Sequence, residues 1–384
     1  MRSKKARSKK SKDYSFTRDD TKAIKGFAII LMLAHHLWFF PSRIAAGGGE
    51  LNYLFSLSGQ SIPMMVGGFC KICVSLFFLL GGYGIYLQSK KRGFTILNCI
   101  KKLFIAYWKV FIVFVPIALI FFANQSQYCA DGDIWSRYSG VGFNEILKNF
   151  FGISASLYGE WGFLFGYVVA IITFPLWKHV FSKLSIYKSV LLVIIVGLVL
   201  SYVMPALNTI GVFGDLDKNS LYRNFLSHIG GYYVCFPIGI LFAQYDWFNK
   251  IRKLLHKNFR VNLLTSLFAL MALIFIRQRS ELGTLDIIYA PAVAICVVEI
   301  IRRLPTVGRF LALVGRHSTT MWLTHTFWCY YFGIFAKLVT WPRWAVPSFL
   351  LLFAITFIVA FCFDHIWAYL SKLYAKSMQL FHAK

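Results

Sequence analysis

The feature that most constrains this chain is its succession of apolar runs, each about the length a helix needs to cross a bilayer. A spanning helix takes roughly 17 to 25 mostly apolar residues. Runs of this kind cover residues 24–40, 66–87, 103–123, 161–177, 189–207, 229–245, 261–276, 286–301, 318–336 and 346–370. Over the 384 residues, 58% are hydrophobic and 15% charged, whereas a soluble domain carries about 25% charged residues to cover its surface. Mean hydropathy is +0.61. These observations predict an all-α fold: a polytopic membrane helix bundle of about ten transmembrane helices.

Charge placement orients the bundle. The net charge of +26 does not lie along one continuous face, as nucleic-acid binding would require. It comes in bursts between apolar runs. With the N-terminus inside, cytoplasmic segments hold thirty Lys and Arg and outer segments nine. That imbalance follows the positive-inside rule and predicts cytoplasmic N- and C-termini. The chain then divides into a basic tail over 1–22, expected to be disordered and to rest on anionic lipid headgroups, a membrane domain over 23–371 and a C-terminal tail over 372–384. The first apolar run ends in Trp38, Phe39 and Phe40 and is read as an uncleaved helix. Lys71 and Lys109 stand inside the second and third runs and are expected to snorkel toward an interface. The eight cysteines are scattered through apolar runs, and the Cys70–Cys73 spacing has no second pair. Neither a metal site nor a disulfide framework is expected.

Ionisable groups inside a span are costly, which makes each a functional candidate. The first run holds His35 and His36, and the ninth holds His325. His36 lies eleven residues past Lys25, about 16 Å along a helix axis, and His325 nine past Arg316, about 13 Å. Two histidines at one level on different helices can meet across an interior cavity. Burial keeps an imidazole neutral, the form a general base needs. His36 and His325 are the catalytic candidates, and His35 is read as a packing residue. Glu160, beside Trp161 at the outer mouth of the fourth run, is read as an interfacial anchor or a substrate contact. Glu299 is expected to pair with Arg302 or Arg303, and Asp364 and His365 to be structural. Gly81, Gly82 and Gly84 are expected to let helices approach closely.

Several of these residues together resemble the acyltransferase-3 family of integral membrane acyltransferases. Lys25 and His36 have the family's spacing of a basic residue, ten positions and a histidine, with lysine standing where arginine is usual. Phe77 to Tyr83 is similar to its Phe-Phe-x-x-Ser-Gly-Phe/Tyr stretch, with Gly81 for serine. Lys101, Lys102, Tyr107 and Trp108 resemble its basic-basic…Tyr-Trp pattern. Trp161 to Leu164 resembles its Trp-Phe-Leu segment, and Gly315, Ser318 and His325 its late Gly…Ser…His spacing. The landmarks run in order from residue 25 to residue 325.

The resemblance implies transfer of an acyl group, often acetyl, from cytoplasmic acyl-CoA to a hydroxyl of an extracytoplasmic glycan or surface polysaccharide, at a cell membrane such as the bacterial cytoplasmic membrane. Acyl-CoA would serve as donor substrate, with no resident cofactor. Lys25, Lys101 and Lys102 would belong to a basic collar for its phosphates, and Glu160 and Trp161 would face the acceptor. His36 would deprotonate the acceptor or carry the acyl group transiently, assisted by His325. Two other readings stand beside this one: a transporter or flippase of glycan-type substrates, against which the lack of internal symmetry argues, and a membrane sensor or scaffold whose histidines only pack.

Overall fold

The first helix, α1 (Arg18–Trp38), starts at a capping box inside the stretch read as tail. Thr17 Oγ1 accepts from the Asp20 N–H at 3.2 Å, and the Thr17 N–H donates to Asp20 Oδ2 at 2.8 Å, so two of the helix's orphan donors are satisfied at once. Just before it, Phe16 stacks on Phe248 at 4.1 Å and its N–H donates to Asn249. The computed structural model describes residues 14–57, 59–123, 128–130, 133–135, 137–211, 230–280 and 283–382. The basic run from Arg2 to Lys10, Asp131, Lys218 and Arg223 lie outside the described residues.

From α1 the chain passes through α2 (Pro41–Ala46), α3 (Ile62–Cys70), α4 (Ile72–Gln88), α5 (Ile96–Phe121) and α6 (Phe143–Phe150). Next come α7 (Gly162–Lys183), α8 (Ile186–Leu198), α9 (Met204–Thr209), α10 (Cys235–Gln244), α11 (Trp247–Asn258) and α12 (Leu263–Ser280). The remainder is α13 (Asp286–Arg303), α14 (Pro305–Arg316), α15 (Ser318–Thr326), α16 (Gly333–Thr340) and the long α17 (Ala345–His382). Two small antiparallel hairpins, Ser56–Leu57 with Gln60–Ser61 and Tyr128–Ala130 with Asp133–Trp135, lie in the stretches 41–65 and 124–160, the longest between apolar runs on the side expected outside.

Each of the ten apolar runs contains a helix, but they are not ten equal spans. Six stretches among the described residues are long and apolar enough to cross a membrane: Ile62–Gln88, Ile96–Phe121, Gly159–Lys183, Ile186–Leu207, Gly283–Arg303 and Ala345–Gln379. A seventh arises if α11 and α12, bent at 117°, count as one. The sixth run is the short α10. The ninth is broken: a π-turn over Phe327–Tyr331 follows α15, and Phe332 is extended before α16 begins. Two stretches expected to be cytoplasmic loops, 246–260 and 302–316, contain the amphipathic helices α11 and α14. Their apolar residues fall three and four apart, as at Trp247, Phe248, Ile251 and Leu255.

Glycines set the closest helix approaches. A Cβ on Gly26 would collide with the Leu311 carbonyl, and one on Gly315 with the Lys22 carbonyl, so α1 and α14 touch backbone to backbone. Gly82 against the Phe236 carbonyl and Gly239 against that of Leu79 repeat the device between α4 and α10. Gly81 instead faces the Tyr167 hydroxyl, and Gly84 is open. Buried ion pairs tie the expected cytoplasmic end. Glu299 takes Arg252 at 2.8 Å, Arg303 at 2.7 Å and His256 at 3.0 Å, while Arg302 reaches Asp20 at 2.6 Å. Asp364 on α17 receives Thr320 at 2.6 Å and contacts His317 at 2.6 Å, which fastens the start of α15. His365 stays on its own helix, hydrogen-bonded through Nδ1 to the Phe361 carbonyl.

Candidate active site

His35 and His36 are neighbours in sequence but lie about 100° apart around α1, and they do different work. His35 turns to α3, where its Nδ1 is 2.7 Å from the Gly67 carbonyl, and it is 6% exposed. A Cβ at Gly67 would crowd the Phe39 backbone, so this contact holds α1 and α3 together. His36 turns to a cavity of about 140 Å³, whose walls also include Arg43, Lys71, Glu160, Phe163 and Trp322.

Three hydroxyls, a guanidinium and an imidazole converge on Glu160, which a short 3₁₀ turn over Gly159–Trp161 places at the head of α7. Its carboxylate accepts from Tyr330 at 2.8 Å, Tyr331 at 2.5 Å and Thr326 at 3.1 Å. Arg43 Nη1 is 3.8 Å away and His36 Nδ1 3.7 Å. A carboxylate taken from water requires such saturation, so Glu160 is an organising anion whose oxygens are already engaged, not an outward-facing contact.

The Tyr330 hydroxyl fixes the state of His36. It has one proton, which goes to Glu160 Oε1. The same oxygen lies 2.9 Å from His36 Nδ1 and accepts from Arg43 at 3.1 Å. His36 Nδ1 must therefore carry the hydrogen and donate to Tyr330, which puts the lone pair on Nε2. Among the described residues Nε2 has no hydrogen-bond partner. The result is an imidazole lining a cavity, oriented through one hydroxyl by a buried carboxylate.

His325 stands beside it, the ring centroids 4.7 Å apart at 62°. It is fully buried. Its Nδ1 is 2.7 Å from the Trp322 carbonyl, and its Nε2 is buried with no partner among the described residues. The two histidines expected at one height do meet. Tyr158 packs under the pair, its hydroxyl accepting from the Thr326 N–H at 2.8 Å.

The other predicted residues fall elsewhere. Trp161 is 3% exposed, donates to the Leu323 carbonyl at 3.0 Å and stacks on Tyr158 at 4.8 Å. It braces α7 against α15 and does not line the cavity. Lys25 lines a second cavity of about 90 Å³ on the inner side, together with Ser318, Thr319 and Tyr167. Lys101 and Lys102 are exposed on the first turns of α5 and do not line that cavity. Phe163 and Trp322, edge to face at 5.2 Å, wall both cavities and stand between them. Tyr107 and Trp108 donate to the carbonyls of Asn149 at 2.5 Å and Phe150 at 2.8 Å, anchoring α6 under the outer segment.

Sequence reasoning missed Tyr330, Tyr331 and Arg43. A signal was present for the first two: a tyrosine hydroxyl inside an apolar run needs a buried partner, and two such residues follow His325 closely.

Compared with known proteins, residues 20–365 match the family described as an acyltransferase domain. No curated protein and no solved structure matches the chain.

Proposed function

The chain belongs to the acyltransferase-3 family, and from that premise we propose that it transfers an acyl group from cytoplasmic acyl-CoA to a hydroxyl of an extracytoplasmic glycan. Acetyl is the acyl group we favour. The protein is a membrane acyltransferase, and we place it in a cell membrane with ten crossings and both termini cytoplasmic. The thirty-to-nine division of basic residues supports that orientation. The observation that carries the chemistry is His36, whose Nδ1–H is held by Tyr330 and Glu160 while Nε2 is left free at the cavity wall.

In this reading the thioester comes up from the inner cavity, with Lys25 and the exposed Lys101 and Lys102 attracting the donor's phosphates. The acceptor enters from outside. His36 Nε2 takes the proton of the acceptor hydroxyl as its oxygen bonds to the thioester carbonyl carbon. The carbon–sulfur bond then breaks, and the imidazolium returns its proton to the departing thiolate. Glu160, reached through Tyr330, stabilises the transient positive charge, as the buried carboxylate of a catalytic triad does. His325 packs against the reacting ring and keeps the pocket dry.

The test is transfer from radiolabelled acetyl-CoA to surface glycan by the full-length chain in bilayer nanodiscs. General-base catalysis is worth about 10²- to 10⁴-fold, and His36→Ala should lose that much. A folded His36→Ala protein that transfers at the normal rate refutes the assignment.

A further inference from the structure

Lys71 was expected to snorkel to an interface, and the structure puts it elsewhere. It sits at the junction of α3 and α4 and lines the same cavity as His36. Among the described residues its ammonium makes no hydrogen bond and no ion pair. Its one neighbour of note is the face of the Tyr232 ring, 5.2 Å from Nζ. The carboxylate on this side of the bundle is Asp286, and its oxygens are taken: Arg277 holds both, at 2.7 and 3.0 Å, and Ser75 adds a bond at 2.6 Å. Glu160 is saturated by its own hydroxyls. Among the described residues the cavity therefore leaves a ligand the Nε2 atoms of His35 and His36 and a full positive charge at Lys71.

A lone cation in a largely apolar cavity is costly unless something supplies the opposite charge. The rest of the wall cannot, being mostly Met32, Phe40, Val74, Phe163 and Trp322. An uncharged sugar could meet the free imidazole nitrogen but would leave the charge of Lys71 unanswered.

We propose that Lys71 is an acceptor-binding residue and that the acceptor is acidic, carrying a carboxylate or phosphate that pairs with Lys71 while a nearby hydroxyl meets His36. This rests on the acyl-transfer reading above and narrows it to a substrate class.

Purified full-length protein in nanodiscs would be supplied with labelled acetyl-CoA and three acceptors: a uronic-acid oligosaccharide, its carboxyl-reduced neutral counterpart and a glycosyl phosphate. The uronate and phosphate arms separate the two sources of the anion. The wild type should favour at least one acidic acceptor over the neutral one in kcat/KM by on the order of tenfold to a hundredfold, the range for a charge-assisted hydrogen bond. Lys71→Gln should collapse that ratio, mainly through KM, and Lys71→Arg should keep most of it. The arginine variant also guards against misfolding, since it preserves the charge at the helix junction. Equal use of acidic and neutral acceptors, or a preference that survives in Lys71→Gln, overturns the inference and leaves acyl transfer standing. Failure of the wild type to transfer to any acceptor overturns the acyl-transfer reading and this inference with it.

Discussion

Tyr330→Phe isolates the step from carboxylate to base, because it removes one oxygen and leaves the ring. That oxygen accepts from His36 Nδ1 at 2.9 Å and donates to Glu160 at 2.8 Å. Without it, the Nδ1–H loses its acceptor and Glu160 loses one of three hydroxyl donors. Tyr331 and Thr326 still donate to Oε2, and Arg43, 3.8 Å from Oε1, can close on the oxygen that Tyr330 vacates, so the fold should survive. A hydrogen bond to a charged group is worth about 1.5–3 kcal/mol, and here it is at full strength only once His36 has become an imidazolium. The loss therefore falls on the transition state: roughly a 10- to 150-fold drop in kcat, with donor KM moving by less than about twofold. The assay is steady-state acyl transfer in nanodiscs, with thermal unfolding as the control. Glu160→Gln alone should also slow the reaction. If the hydroxyl acts as the link, the double variant costs little more than the worse single one, because the two changes break one chain. Additive losses, or a Tyr330→Phe effect confined to KM, would refute the relay.

Two other predictions concern the scaffold. Gly26→Ala should destabilise the protein by about 1–3 kcal/mol, as overpacking does, because the new methyl meets the Leu311 carbonyl. Gly84→Ala, in open space, should be close to neutral, and equal melting temperatures for the two variants would contradict the packing argument. In the outer segment, burial raises the Glu145 carboxyl, but hydrogen bonds from Ser156, Ser154 and Asn149 and the charge of Lys148 hold it below its ordinary 4.5. A depressed folded value means that this tether is fully present above about pH 4.5 and is lost as pH falls through the folded value. Hydrogen exchange over 143–157, corrected for intrinsic rates, should thus show protection at pH 7 that is lost as the pH falls below the ordinary carboxylate value. Glu145→Gln should remove the dependence, and wild-type protection that is flat with pH would count against it.

What the sequence made legible was whatever obeys a period or a cost. Ten apolar runs announced themselves by length. His36 and His325 stood out because an imidazole in hydrocarbon is expensive, and a 1.5 Å rise per residue was enough to put them at one height. The helical nature of 246–260 and 302–316 was also visible, in the spacing of Phe248, Ile251 and Leu255 and of Phe310 and Leu313. The count of basic residues masked it by making both stretches read as loops. What stayed hidden depends on partners far apart in the chain. Glu160 draws its hydroxyls from positions more than 160 residues later. From its place beside Trp161 alone, anchor and contact are indistinguishable. Lys71 looked like a residue bound for an interface because nothing local tells which face of a helix meets a cavity.

The position of Tyr330 shows why such a site resists one-dimensional reading. In a regular α-helix, residues 325 and 330 lie five steps of 100° apart, so they face directions about 140° from one another. No helical-wheel argument would bring both to one partner. Yet His36 touches the two of them, His325 ring to ring at 4.7 Å and Tyr330 by a 2.9 Å hydrogen bond. The π-turn at Phe327–Tyr331 resolves the conflict, since i to i+5 bonding widens the turn and carries the fifth residue back toward the face of the first. Phe332 then leaves helical geometry altogether, which ends the span early and lets α16 restart at Gly333. An irregular backbone at this depth is tolerated only where it is buried in protein or lines a cavity. Here it does the former: Phe327, Cys329, Tyr330, Tyr331 and Phe332 are all buried. The break in the ninth run is thus the local deformation that aims two hydroxyls at Glu160 and, through one of them, sets the tautomer of the base.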